Sequence, residues 1–415
     1  MAAQTKEAVT TEQELVPIEK SFWYKEPLNE DLHLSAALKT ITFEAKSKFQ
    51  TMQIIETHSF GKTLVLDGKT QSAKSDEAIY HETLVHPALL AHSNPKTVYI
   101  GGGGEFATAR EVLKHKSVEK VVMVDIDELV CNMCRKEMPE WADGAFEDPR
   151  LEVHYTDAHA FLKQYEGTFD VIIMDIADPI EAGPGYVLYT EEFYKYAVTK
   201  VNKGGYIVTQ SGPGAVYNWN ECFSSIYCTL KTNFNTVVPY SVDIPSFGCV
   251  WAFNMATNVE DGDGEAAVTA IRERSIAATN KLVETRISKP LKFLDGVSHM
   301  GLFGLPKIVR EALEKETRVI TIANPVFILS HQQTMRRSSV YYMSSLNVQT
   351  TLTLIDTLSC FFLFALADLE TFVCHHRYLN AQLSSHLCYE STNFWVALFN
   401  KVVLFQQRKL TKELI

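Results

Sequence analysis

The chain has 415 residues, 46% of them hydrophobic and 21% charged, which leaves room for two or three globular domains and a substantial core. Its formal charge of -11 excludes nucleic acid as the main partner, because phosphate binding needs a basic face, and favours a cationic one. Residues 329–415 carry seven Lys/Arg against five Asp/Glu, so the acidity resides in the first 328 residues.

The opening MAAQTKEAVTTEQELV is polar and acidic with no apolar run, which fits neither a signal peptide nor an Arg-rich transit peptide. Residues 1–20 read as a disordered arm, and the protein as cytoplasmic. Over residues 21–75, TITFEA, FQTMQIIETHSF and GKTLVLDGKTQSA alternate as short strands with a turn at Asp67-Gly68, a small β-rich domain. Over 76–258 a helical stretch, EAIYHETLVHPALLAH, is followed by apolar strands such as TVYI, KVVMV and DVIIM alternating with helices. Continuous apolar strands between helices predict a mostly parallel sheet covered on both faces: an α/β, doubly wound, Rossmann-like domain of the nucleoside-binding kind. Residues 259–328 read as a linker and a helical extension, with helices near IRERSIAATNKLVETRI and LPKIVREALEKET.

The last 87 residues, 329–415, contain no Gly and no Pro, where ordinary usage would give about ten. They read as an atypical tail without part in the chemistry. Their most apolar stretch, LTLIDTLSCFFLFALADLE, is interrupted by Asp356 and Asp368 and is too short to span a bilayer, so no membrane partner is expected. Eight cysteines at irregular spacing form no paired zinc or disulfide pattern, and Cys131 and Cys134 read as core packing on a helix.

In an open parallel sheet, ligands meet the C-terminal ends of the strands. Here those ends are repeatedly acidic: Glu105, Asp125, Asp127, Asp157, Asp175 and Asp178. Any one could be a helix N-cap, but capping is a poor explanation for all of them together. The turn GGGGEFATAR is not a dinucleotide fingerprint, because counting G-x-G-x-x-G from Gly101 through Gly103 puts Phe106 at the third glycine, and no GK[ST] follows. Glu105 would repel a pyrophosphate and stabilise a sulfonium or ammonium. Asp125 suits the two ribose hydroxyls, and Asp157 with the Ala158 N–H suits an adenine edge. The ligand so described is an adenosine carrying positive charge. Asp175 and Asp178, around a loop stopped by Pro179, could hold and deprotonate an amine. Freeing an amine of pKa near 10 at pH 7 costs about 4 kcal/mol. Crowded like charges raise the proton affinity of a carboxylate and move Asp175 toward that work.

Seven segments, LVLDGKTQSAKSDEAIYHE (64–82), GGGGEFATAREVLKH (101–115), EKVVMVDID (119–127), YTDA (155–158), DIADPIEAGPGYVLYT (175–190), TQSGPG (209–214) and VPYSVDIPSF (238–247), together resemble the polyamine aminopropyltransferases, the spermidine and spermine synthase family. The likeness runs from about residue 23 to 258, and a weaker one through 286–317 is to the extension of plant-type thermospermine synthases. It implies transfer of the aminopropyl group of decarboxylated S-adenosylmethionine to an amine, with release of methylthioadenosine. Decarboxylated S-adenosylmethionine is then a co-substrate, and neither metal nor redox cofactor is needed. By resemblance Asp175 is the proton acceptor, Asp178 holds the acceptor amine and Tyr80 orients the attacking nitrogen. Gly101, Gly103, Glu105, Asp125, Asp157 and Ala158 fall on the donor side, with Gln50 and His81, and Gln71, Gln210 and Phe247 on the acceptor side. A homodimer or homotetramer is implied as well.

Departures from the family bear on the acceptor. Spermidine synthases typically carry DSSDP followed by a short GPAxxLF segment, where this chain has DIADP followed by EAGPGYVLYT, and they carry Tyr where this chain has Phe247. The missing hydroxyl cannot bind the far amine of putrescine, which favours spermidine as acceptor and thermospermine as product over spermidine formation. Two other readings stand beside this one: a methyltransferase on the same fold, opposed by Glu105 facing a methionine carboxylate, and an idle polyamine-binding protein, opposed by the joint presence of Asp175, Tyr80 and Asp178.

Overall fold

The computed structural model describes residues 22–29, 31–179, 183, 185–259 and 264–328. The expected N-terminal arm, the tail and residues 260–263 of the expected linker lie outside the described residues. Strands β1 (Phe22–Pro27), β2 (His33–Lys46), β3 (Thr51–Thr57), β4 (Gly61–Leu66) and β5 (Lys69–Ala73) form one antiparallel sheet in chain order. β4 and β5 are joined through Asp67 and Gly68, at φ 48° and 78°, the two positive values that a tight Asp-Gly hairpin turn requires. Met52, Ile54 and Leu64 of this sheet pack against Val130, Cys134, Met138 and Trp141, and Trp141 Nε1 donates to Ser72 Oγ at 2.7 Å. Cys131 and Cys134 are both buried and unpaired, and burial raises both thiols well above their ordinary value.

The second sheet contains β6 (Thr97–Gly102), β7 (Lys120–Asp125), β8 (Leu151–Tyr155), β9 (Phe169–Asp175), β10 (Val201–Pro213), β11 (Thr236–Ile244) and β12 (Cys249–Thr257), in the order β11-β12-β10-β9-β6-β7-β8. β8, β7, β6, β9 and β10 run parallel, while β12 lies antiparallel to both β10 and β11. Val98 to Ile100, Val121 to Val124 and Val171 to Met174 are all fully buried, the two-sided burial that produces their unbroken apolar runs. The chain leaves β6 for β7 and β8, then returns to β9 on the other side of β6. A crevice therefore opens at the carboxyl ends of β6 and β9.

Helix Glu77–Ala91 leads into this sheet and is buried along most of its length. Pro87 lies inside it and cannot donate to the carbonyl of Thr83, and Tyr240 Oη donates to that carbonyl instead at 3.2 Å. Where the sequence suggests two helices after the linker, the described residues form four: Gly264–Arg272, Ile276–Arg286, Gly296–Leu302 and Lys307–Lys315. The first expected helix is divided because Ser275 caps a new one, its hydroxyl accepting from the Ala278 N–H at 3.2 Å. This extension is anchored by Glu82, a fully buried carboxylate that accepts the N–H groups of Lys292, Phe293 and Leu294 at 2.7, 2.8 and 2.7 Å. Among the described residues no helix is long and apolar enough to cross a membrane.

Candidate active site

The glycines end β6 in a turn that only glycine accommodates. Gly102 and Gly103 have φ 84° and 78°, and a Cβ on Gly102 would lie 2.0 Å from the carbonyl oxygen of Asp175. The Gly103 N–H donates to that same oxygen at 3.0 Å and the Phe106 N–H to Gly103 O at 2.8 Å, so two amides of the kind that cradle a phosphate are engaged by the chain itself. Gly104 lets Asp125 approach, since a Cβ there would lie 3.0 Å from Asp125 Oδ2. Gly101 departs from expectation. It does not line the crevice; it lies within β6, where a Cβ would lie 2.7 Å from Met174 Cε, so its missing side chain serves strand packing. Gly102 and Gly104 line the crevice beside Gly103.

The crevice has a volume of about 220 Å³ and collects Glu105, Asp125, Asp157, Asp175 and Asp178 on its wall, together with Gln50, Gln71, Tyr80, Ala158, Gln210 and Phe247. Asp175 ends β9 and is tied on both oxygens, Oδ1 by Tyr80 Oη at 2.7 Å and Oδ2 by Thr108 Oγ1 at 2.5 Å. Burial and then the neighbouring Glu105 charge push its carboxyl up to about 6, against the pull of His81, Thr108 and Tyr80. Burial likewise raises Asp178 to about 6, opposed by Gln210 and Lys69. Asp125 is lifted to about 7 by burial, with Glu105 adding to it and the Asp127 N–H opposing. Two of these acids are thus raised to just below neutral pH and the third to about 7, well above the usual aspartate range.

His81 stands behind this wall rather than on it. It is fully buried, with Nε2 3.0 Å from Glu105 Oε1 and Nδ1 2.6 Å from the Glu77 carbonyl and 3.2 Å from Glu77 Oε2. Burial works against its charge, but the two carboxylates outweigh burial and raise the imidazole to about 10, so it is an imidazolium at neutral pH. Glu77 is held down to about 2 despite its burial, because His81 and Arg110 flank it, and Arg110 Nη2 donates to Glu77 Oε2 at 2.6 Å. A buried line of alternating charge, Arg110, Glu77, His81, Glu105, therefore ends at the crevice. His81, Glu105 and Asp175 also present ligand atoms within 4.8 Å of one another. A protonated His81 with both nitrogens engaged offers no lone pair to a metal ion.

The nucleoside side is partly structural. Asp157 accepts the His159 and Ala160 N–H groups at 2.7 and 3.0 Å through Oδ1, an N-cap, while still facing the crevice. Asp127 is buried and does not reach the crevice; it accepts from Ser47 Oγ at 2.6 Å, Gln50 Nε2 at 3.1 Å and the Leu129 N–H at 3.1 Å, tying the first sheet to the second. Gln50 is therefore oriented by Asp127. On the opposite side Gln210 Nε2 donates to Asp178 Oδ1 at 3.1 Å and to Tyr189 Oη at 2.6 Å, while its Oε1 accepts from Trp251 Nε1 at 3.2 Å. Phe247 packs edge-on to Trp251 at 4.7 Å and to Tyr80 at 5.7 Å between ring centroids. Gln71 lines the crevice with Nε2 donating to Lys69 O at 3.2 Å. Sequence reasoning misses Thr108, Lys69, Tyr189 and Trp251, although Lys69, Thr108 and Tyr189 lie inside the segments that carry the resemblance.

Comparison with known proteins agrees with this geometry. Residues 22–74 match the spermidine synthase tetramerisation domain and residues 77–261 the spermine/spermidine synthase domain. The chain is 43% identical over 310 residues to the thermospermine synthase ACAULIS5 of Arabidopsis thaliana, a match covering 74% of this chain and 88% of that one. It is 42% identical over 312 residues to a polyamine aminopropyltransferase of Aeropyrum pernix, covering 74% and 95%. A crystal structure of spermidine synthase in complex with the transition state analogue AdoDATO superposes with a TM-score of 0.63 at 29% identity, over 74% of this chain and 99% of that one. Spermidine synthase from Thermotoga maritima does so at 0.61 and 28%, over 73% and 97%.

Proposed function

The chain belongs to the spermine/spermidine synthase family and is a polyamine aminopropyltransferase, and from that premise we propose that its acceptor is spermidine and its products are thermospermine and methylthioadenosine. In this reading the donor is decarboxylated S-adenosylmethionine. An acceptor nitrogen attacks the aminopropyl carbon bonded to the sulfonium; the C–N bond forms as the C–S bond breaks, its electron pair going to sulfur. The proton displaced from nitrogen passes to Asp175. Tyr80 and Thr108 fix that carboxylate, Asp178 with Gln210 receives the acceptor, Glu105 receives the donor's ammonium, and Asp125, Asp157 and Ala158 receive its nucleoside.

The observation that carries the reading is Asp175 held by Tyr80 and Thr108 amid other acids, with its carboxyl at about 6. Relative to an ordinary aspartate this lowers the cost of taking a proton from an alkylammonium by about 3 kcal/mol, at about 1.4 kcal/mol per unit. The remaining cost falls as the amine is oriented against the reacting carbon. Spermidine rather than putrescine is supported by Phe247, which lines the crevice without the hydroxyl that would serve a short diamine, and by the 43% identity to a thermospermine synthase. Assembly through residues 22–74 into a homodimer or homotetramer belongs to the same reading, and is supported by the match to a tetramerisation domain and by the exposure of Phe22 and Ile41.

The test is to incubate the protein with decarboxylated S-adenosylmethionine and, separately, putrescine, spermidine and norspermidine, and to separate the products. Thermospermine with stoichiometric methylthioadenosine is expected from spermidine. Turnover of putrescine alone would give the acceptor reading up, and a methylated amine would give up the donor.

A further inference from the structure

A small side cavity of about 30 Å³ adjoins the crevice, sharing Lys69, Thr70, Asp178, Phe247 and Trp251 with it. Its other wall carries Glu26, Asn218 and Glu221. That volume matches one water-sized group and no ring. Glu26 is held through one oxygen, Oε2 accepting from Tyr24 Oη and the Thr70 N–H at 2.9 Å each, with Lys69 Nζ 3.9 Å from Oε1. Glu221 differs: among the described residues no hydrogen bond or ion pair reaches its carboxyl, and burial raises it to about 7. Asn218 is 1% exposed, and its Oδ1 has no hydrogen-bond partner.

Two residues with an acceptor group lacking a donor thus line a void the size of one small group. An alkylammonium is the complementary occupant, with three donors and no acceptor. The charge count agrees, since Glu26, Asp178 and Glu221 line the side cavity with one cation, Lys69. We propose that this void is the subsite for the far ammonium of a triamine acceptor, held by Glu221 and Asn218 Oδ1, and that it sets the preference for a triamine over a diamine. The proposal rests on the acceptor reading given above and names the residues that enforce it.

The test measures kcat/KM for wild type, Glu221→Gln and Asn218→Ala with spermidine, with putrescine, and with spermidine acetylated on the terminal nitrogen that does not react. In each variant the spermidine-to-putrescine ratio is expected to fall at least tenfold, through KM for spermidine. Wild type should discriminate at least tenfold against the acetylated substrate, and Glu221→Gln should show little further loss with it, because both changes remove one interaction. Unchanged ratios in both variants, or equal use of spermidine and its acetylated form by wild type, would overturn the subsite alone. The acetylated substrate keeps the test decisive even if a variant fails to fold. A wild type that consumes putrescine and leaves spermidine untouched overturns the acceptor reading and the subsite together.

Discussion

His81 Nε2 lies 3.0 Å from Glu105 Oε1, so the carboxylate that follows the four glycines faces the crevice with a buried imidazolium at its back. The pair keeps Glu105 in place, because a buried carboxylate without a partner is costly. It also explains how so many acids share one crevice: part of their mutual repulsion is offset from within the fold.

This pairing carries a signature in stability. The folded-state value of His81, about 10, lies above the ordinary 6.5. Its stabilising contribution is therefore complete below about pH 6.5 and is lost as pH rises through about 10. Calorimetric melting of wild type should show a fall in Tm between pH 7 and 10 that His81→Asn lacks in large part. At pH 7 that variant should be less stable by on the order of 3 kcal/mol, as expected when one member of a buried ion pair is removed.

Asp175 must be ionised to accept a proton, so kcat/KM should rise with pH through about 6 on its acid limb. Thr108 and Tyr80 hydrogen-bond the ionised form and lower that value. Thr108→Val should move the acid limb to higher pH by about one unit. Asp175→Asn should retain donor affinity by titration calorimetry while kcat falls by roughly two orders of magnitude or more.

The glycine turn makes a contrast of two alanine substitutions. Gly68 has φ 78° with open space around it, whereas a Cβ on Gly102, at φ 84°, would meet the Asp175 carbonyl at 2.0 Å. Gly68→Ala should cost about 1 kcal/mol, the left-handed penalty alone. Gly102→Ala should cost at least about 2 kcal/mol more in urea unfolding, because backbone must move.

Much of this is legible in the sequence. β6, β7 and β9 announce themselves because burial on both faces leaves no polar interruption, and the acids that follow them sit where those runs stop. Asp67-Gly68 marks its hairpin through a local backbone requirement. What stayed hidden depends on distant chain closing over the crevice. Trp251 arrives on an antiparallel strand from the far side of β10, and Glu221 and Asn218 sit on a turn whose sequence carries no signal for a cavity. The sequence assigns Gly101 to the ligand because counting glycines cannot tell which one packs against Met174. Asp127 looked like its neighbours in sequence, yet it serves Ser47 and Gln50 on the other sheet.

The central claim is that the acid wall selects a cation at the end of the glycine turn, and the most direct measurement is titration calorimetry of decarboxylated S-adenosylmethionine against S-adenosylmethionine itself. The two differ by one carboxylate, which would be brought toward Glu105. The decarboxylated donor should bind about a hundredfold more tightly, on the order of 3 kcal/mol at the effective dielectric of a partly buried site, and Glu105→Gln should shrink that gap. Equal affinity, or tighter binding of the carboxylated form, would contradict the account.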